Sequence, residues 1–89
     1  MEIRRSKKFN KSFNSLDYKI QLKAIDSLEI FEINPFDLRL RNHKLSWDRE
    51  WLNSINITWD YRIIFRELSN SRYEFVELIN IGTHSQLYW

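Results

Sequence analysis

The sequence predicts an α+β domain in which a short N-terminal strand and two helices pack on a small antiparallel sheet. Three observations carry that prediction. Residues 6–34 place apolar side chains at helical spacing, residues 55–81 alternate or run apolar as strands do, and the one proline, Pro35, separates the two regimes. With 89 residues, 43% of them hydrophobic and 16% aromatic, the chain reads as one packed domain over residues 1–89, near the small end for a single core.

The elements follow in order. The residues before Ser6 form the short strand, and Ser6 then caps a first helix through KKFNKSF, with Phe9 and Phe13 on one face. Ser15 is expected to open a longer second helix whose core stripe is Leu16, Ile20, Ala24, Leu28 and Phe31. Pro35 ends it, because a residue before proline avoids helical angles. Leu22, Ile30 and Ile33 fall off that stripe. They are either scattered surface apolars or a second face that a partner covers.

After Pro35 the segment PFDLRLRNHKLSWDREW has no clean period and reads as extended chain and loop, with Trp47 and Trp51 covering the core beneath it. Ile55, Ile57 and Trp59 then alternate with Asn56, Thr58 and Asp60, as in a strand. A tight turn around Thr58 to Asp60 would pair this strand with YRIIFREL as a hairpin. LSNSR supplies the next turn, and YEFVELINI is apolar enough for a central strand covered on both faces. The only glycine, Gly82, is expected to break that strand and turn His84 outward.

Composition excludes several classes. The absence of cysteine removes a disulfide framework and thiolate metal sites, and fits a reducing compartment. No apolar stretch approaches a membrane span, and MEIRRSKKF lacks the apolar segment of a signal peptide, so a soluble cytoplasmic protein without a membrane partner is expected. Net charge is +2 and the pI about 9.0. The cations cluster: Arg4, Arg5, Lys7, Lys8 and Lys11, then Arg39, Arg41 and Lys44, then Arg62 and Arg66. They are scattered solvated charges unless folding joins two clusters into a polyanion footprint.

Six residues invite a chemical reading: His43, Asn56, Asp60, Arg62, His84 and Tyr88. No short ligand spacing supports a metal site, no glycine-flanked turn presents a serine nucleophile, and no glycine loop cradles phosphate. Internal RNA cleavage fits better because the 2′-OH is itself the nucleophile and no cofactor is needed. The protein must take that proton, protonate the departing 5′ oxygen and stabilise charge on phosphorus. Imidazoles at His43 and His84, the guanidinium of Arg62, and Asp60 and Tyr88 supply those roles. Plainer readings stand beside these. His84 would cap a loop, His43 would be a surface histidine, Arg62 would pair with Asp60 or another carboxylate, and Tyr88 and Trp89 would seal the core edge.

The motifs LRNHKL, SINITWDYRIIFR and IGTHSQLY, in this order after SKKFNKSF and a helix ending in NPF, resemble the RelE superfamily of toxins from bacterial toxin–antitoxin pairs. Within it the chain is most similar to YafQ-type messenger-RNA interferases. The resemblance implies a RelE-like fold and a ribosome-dependent endoribonuclease that cuts messenger RNA in the ribosomal A site without metal or cofactor. It also implies a small DNA-binding antitoxin as partner. It assigns catalysis to His84, His43, Asp60, Arg62 and Tyr88, with Arg62 on phosphate. RNA contact falls to Tyr61, Asn56, Lys44, Arg41 and Arg66, and antitoxin contact to Leu22, Ile30 and Ile33. The chain departs from the family at Asn56, where some relatives carry histidine, at Trp59, where glycine is usual, and in lacking glycines after HKL. Two alternatives remain: a ParE-type inhibitor that binds DNA gyrase without catalysis, and a degenerate toxin that only binds its antitoxin.

Overall fold

Ser6 is the hinge on which the N-terminal half turns. In the computed structural model, which describes residues 1–45 and 51–87, its hydroxyl accepts from the Phe9 backbone N–H at 3.0 Å and donates to the Ile79 carbonyl at 2.9 Å. One side chain therefore caps a helix and docks it on the sheet. Strand β1 (Glu2–Arg5) precedes it, and helices α1 (Lys7–Asn14) and α2 (Tyr18–Ile33) follow. Ser15 does not open α2. It closes α1, donating its hydroxyl to Ser12, and the N-cap position of α2 is Asp17. Leu16 lies in the connection, yet still packs on the core.

A 3₁₀ turn (Leu38–Leu40) then leads to strands β2 (His43–Lys44), β3 (Asn53–Asn56), β4 (Tyr61–Glu67) and β5 (Phe75–Thr83), and a one-turn helix α3 (His84–Leu87). The sheet order is β1-β5-β4-β3-β2. Strands β2 to β5 form an antiparallel meander, while β1 lies parallel to β5, so the sheet is mixed. The helices carry the chain from one sheet edge to the other, and the meander returns to β1. Alternation along a strand shows which faces are apolar, but not the direction of a partner some seventy residues away.

Phe9, Ala24, Leu28 and Phe31 pack against Leu40, Ile55, Ile63, Phe65, Val76, Leu78 and Ile81 on one face of the sheet. The Phe31 ring meets Phe65 edge-on at 5.0 Å. A smaller cluster of Leu45, Ile64 and Leu87, flanked by Leu52 and Ile79, covers part of the other face. β5 serves both faces through a bulge. Ile64 pairs with Asn80 and Phe65 with Leu78, leaving Ile79 as the extra residue. This explains why its sequence reads as a continuous apolar run.

Gly82 does not break β5, which continues through Thr83, and its φ is not positive. Its small size is what matters. A Cβ there would lie 2.8 Å from the Gln86 side-chain oxygen and 3.5 Å from Leu87, so glycine lets α3 fold back over the strand end. The tryptophans also depart from expectation. Trp51 and Trp59 are 73% and 87% exposed and cover no core, while Trp47 lies outside the described residues. On α2, Ile30 packs against the main core and is not part of an open face. Leu22 and Ile33 are exposed, in line with Tyr18 and Ile25, so the second apolar face of α2 is real but differently composed.

Candidate functional site

Strand alternation sorts the predicted site residues. Ile55, Ile63 and Ile81 point at the helices, so Asn56 and Arg62, which pair across β3 and β4, point to the opposite face. Gly82 continues that row on β5, where Gln86 and Leu87 of α3 fold over it. His43 pairs with Ser54 one row further along the same face. α3 starts at the end of β5, where the His84 backbone N–H donates to the Asp60 carbonyl at 3.0 Å, tying the C-terminal turn to the hairpin loop.

That loop, residues 57–60, is built by Thr58. Its hydroxyl accepts from the Asp60 and Tyr61 N–H groups, and the Ile57 and Thr58 N–H groups donate to the Tyr61 carbonyl. β3 accordingly ends at Asn56, with Ile57 and Trp59 in the turn. Beside the loop lies a cleft of about 420 Å³ lined by Arg39, Arg41, Asn56, Ile57, Thr58, Trp59 and Arg62. Folding has brought Arg39 and Arg41 of the middle cationic cluster beside Arg62 of the late one. The N-terminal cluster begins on β1, at the far edge of the sheet.

The three guanidinium groups differ. Arg39 is bound bidentately by Asp37, with contacts of 3.0 and 2.9 Å, and its hydrogen bonds hold the Asp37 carboxyl down to about 2. Arg41 and Arg62 form no ion pair among the described residues, so Arg62 pairs with neither Asp60 nor another carboxylate there. Arg62 instead donates to the Trp59 carbonyl at 3.2 Å. Asn56 Oδ1 is buried without a hydrogen-bond partner among the described residues. Polar groups left in this state are unusual in structural regions.

Arg41 has φ of 51°, in the left-handed region. The strain aims its carbonyl at His43 Nδ1, 2.7 Å away. A carbonyl only accepts, so in the neutral ring Nδ1 carries the proton and Nε2 is the basic nitrogen. The segment before β2 thus sets both a cation and an oriented imidazole.

Other predicted residues lie elsewhere. Tyr61 faces the helix side and lines a separate cleft with Ser12, Asp17 and Asn80. Lys44 faces that side too, near Trp51 and Asn53. Arg66 shares the Arg62 face but stands four residues along β4, roughly 13 Å away at strand rise, opposite Glu77. Tyr88 lies outside the described residues. Among the described residues no group of three or more His, Cys, Asp or Glu side chains gathers as a metal site. Trp59 and Thr58 were absent from the predicted set. The proximity of Trp59 to a turn, rather than its place in an apolar alternation, was the signal for it.

No family model and no curated protein matches the chain. Solved structures do. YafQ from E. coli superposes with a TM-score of 0.72 at 18% identity, covering 99% of this chain and 98% of that one. This is the fold of the RelE and YafQ toxins. A YoeB/ParE toxin from Agrobacterium tumefaciens gives 0.76 at 18% identity, covering 94% and 99%. The archaeal RelE–RelB complex from Pyrococcus horikoshii gives 0.71 at 18% identity, covering 92% of each chain. The RelE-type fold extends over almost the whole of this chain, including β1 and both long helices. Among the described residues no helix is long and apolar enough to cross a membrane.

Proposed function

We propose that this protein is the toxin of a toxin–antitoxin pair and acts as a metal-independent, ribosome-dependent endoribonuclease on messenger RNA. The observation that carries the reading is the cleft in which Arg41 and Arg62 stand without ion-pair partners among the described residues, on the same sheet face as His43, whose imidazole is held in one tautomer by the Arg41 carbonyl. Two uncompensated guanidinium groups are suited to a phosphodiester and to the extra charge it gains on attack. His43 Nε2 takes the 2′-OH proton, the 2′ oxygen attacks phosphorus, and the 5′ oxygen departs with a proton from His84. The products are a 2′,3′-cyclic phosphate and a 5′-OH. Asp60 supports His84 through the loop that both share, and Asn56 and Arg66 contact the RNA. Tyr61 and Lys44 remain part of the proposal as residues that meet the message or the ribosome beyond the cleft, and Tyr88 as the catalytic residue that stacks on or orients the message.

The partner reading follows from α2. Leu22 and Ile33, together with Tyr18 and Ile25, form an exposed apolar face that an antitoxin segment covers, in a cytoplasmic complex. Structures that superpose on this chain include the E. coli DinJ–YafQ toxin–antitoxin complex. The test is expression of the parent and His84→Ala in bacteria, followed by mapping of message ends. Growth arrest with new 5′-OH ends from the parent alone supports the assignment. Equal cleavage from both removes His84 from it, and inhibition of gyrase supercoiling without message cleavage replaces it with a ParE-type reading.

A further inference from the structure

An indole is the most costly side chain to leave in water, and Trp59 is 87% exposed at the tip of the β3–β4 loop. It is not loosely placed. Thr58 fixes the loop with two backbone hydrogen bonds, and the Trp59 carbonyl receives Arg62 Nη1 at 3.2 Å. The residue therefore bears on one cleft in two ways: its backbone carbonyl holds the Arg62 guanidinium, and it lines the cleft with Arg41 and Asn56 while its side chain stays open to solvent. A flat exposed aromatic next to two guanidinium groups is the pairing that binds an unpaired nucleotide, with ring on base and cation on phosphate.

We propose that Trp59 is a base-stacking residue, forming with Arg41 and Arg62 a subsite for one unpaired nucleotide of single-stranded RNA. The inference rests on the ribonuclease reading for its ligand, but not on any proton-transfer step. The subsite tolerates any base, because every base has a π-face to offer. It requires the base to be unstacked, so duplex RNA gains nothing from the ring.

The test uses a short, unstructured 2′-O-methyl oligoribonucleotide, which offers no 2′-OH for cleavage, and reads its affinity by fluorescence anisotropy. Trp59→Ala removes the ring but keeps the carbonyl that holds Arg62, and an exposed loop position should not affect folding, which circular dichroism checks. Affinity should fall roughly five- to a hundredfold with an unchanged salt slope. Trp59→Phe should retain most of the affinity, and Trp51→Ala, at an exposed tryptophan outside the cleft, should retain all of it. Arg62→Ala should weaken binding and lower the salt slope by about one. Equal binding by Trp59→Ala and the parent, with Arg62→Ala impaired, overturns the stacking role and leaves the RNA reading standing. No binding by the parent overturns the subsite, while the ribonuclease reading stands or falls separately on the mapping of message ends.

Discussion

The two turns that flank β4 are built on opposite principles. The β4–β5 turn saturates its polar groups. The Glu67 carboxylate accepts from the Ser69 hydroxyl and from the Ser69, Ser71 and Tyr73 N–H groups, and the Ser69 hydroxyl accepts from Glu74 and Phe75. Those bonds hold Asn70, Ser71 and Tyr73 at positive φ without a glycine. The β3–β4 turn also has an organising hydroxyl, on Thr58, but it presents an exposed indole and borders an arginine and a buried amide oxygen that, among the described residues, have no ion pair and no hydrogen-bond partner respectively. One turn uses its polar groups on its own geometry, and the other leaves polar groups without protein partners among the described residues. Unsatisfied groups concentrated in one place distinguish a site from a staple.

The comparison yields predictions in descending size. Arg62→Ala should lower message cleavage by about a hundred- to a thousandfold while changing thermal stability little, as expected for a preorganised charge at a transition state. Glu67→Gln should do the reverse, costing on the order of 1–3 kcal/mol of stability in denaturant melts with cleavage kept wherever the protein is folded. Glu67 also sets a pH dependence. Burial raises its pKa, but the surrounding hydroxyl and N–H donors outweigh that and hold it below the ordinary glutamate value. A carboxyl depressed in the native state adds stability that is complete above its unfolded pKa and lost as pH falls through its native one. Acid melts should therefore destabilise the parent more steeply than Glu67→Gln. Thr58→Ala should cost about 1 kcal/mol by releasing the Asp60 and Tyr61 N–H groups. Trp59→Ala should change stability least, within about 0.5 kcal/mol. A large loss there would mean that the ring is packing after all.

Much of this was legible in residue order. Ser6 as a cap, the helical core stripe, and a hairpin turning near Thr58 all follow from local periodicity and side-chain chemistry, which act within a few residues. The parallel seating of β1 on β5, the bulge at Ile79 and the fit of α3 over Gly82 arise from contacts distant in sequence, so no local pattern announced them. The site divides in the same way. Arg62 and Asn56 share a face by simple alternation. The resemblance implies RNA contact for Tyr61 as well as Arg62, yet adjacency in a strand places their side chains on opposite faces. The sequence names Arg41, but its left-handed backbone, which aims its carbonyl at His43, belongs to the folded turn and is not legible in residue order.

The central claim is that the arginine-lined cleft cleaves RNA through its own 2′-OH. The most direct test is the chemistry of the new ends formed by the purified protein on a translating message. The account predicts 2′,3′-cyclic phosphate and 5′-OH ends from the parent and none from Arg62→Ala. New 3′-OH ends, or equal cleavage by the Arg62→Ala variant, would contradict it.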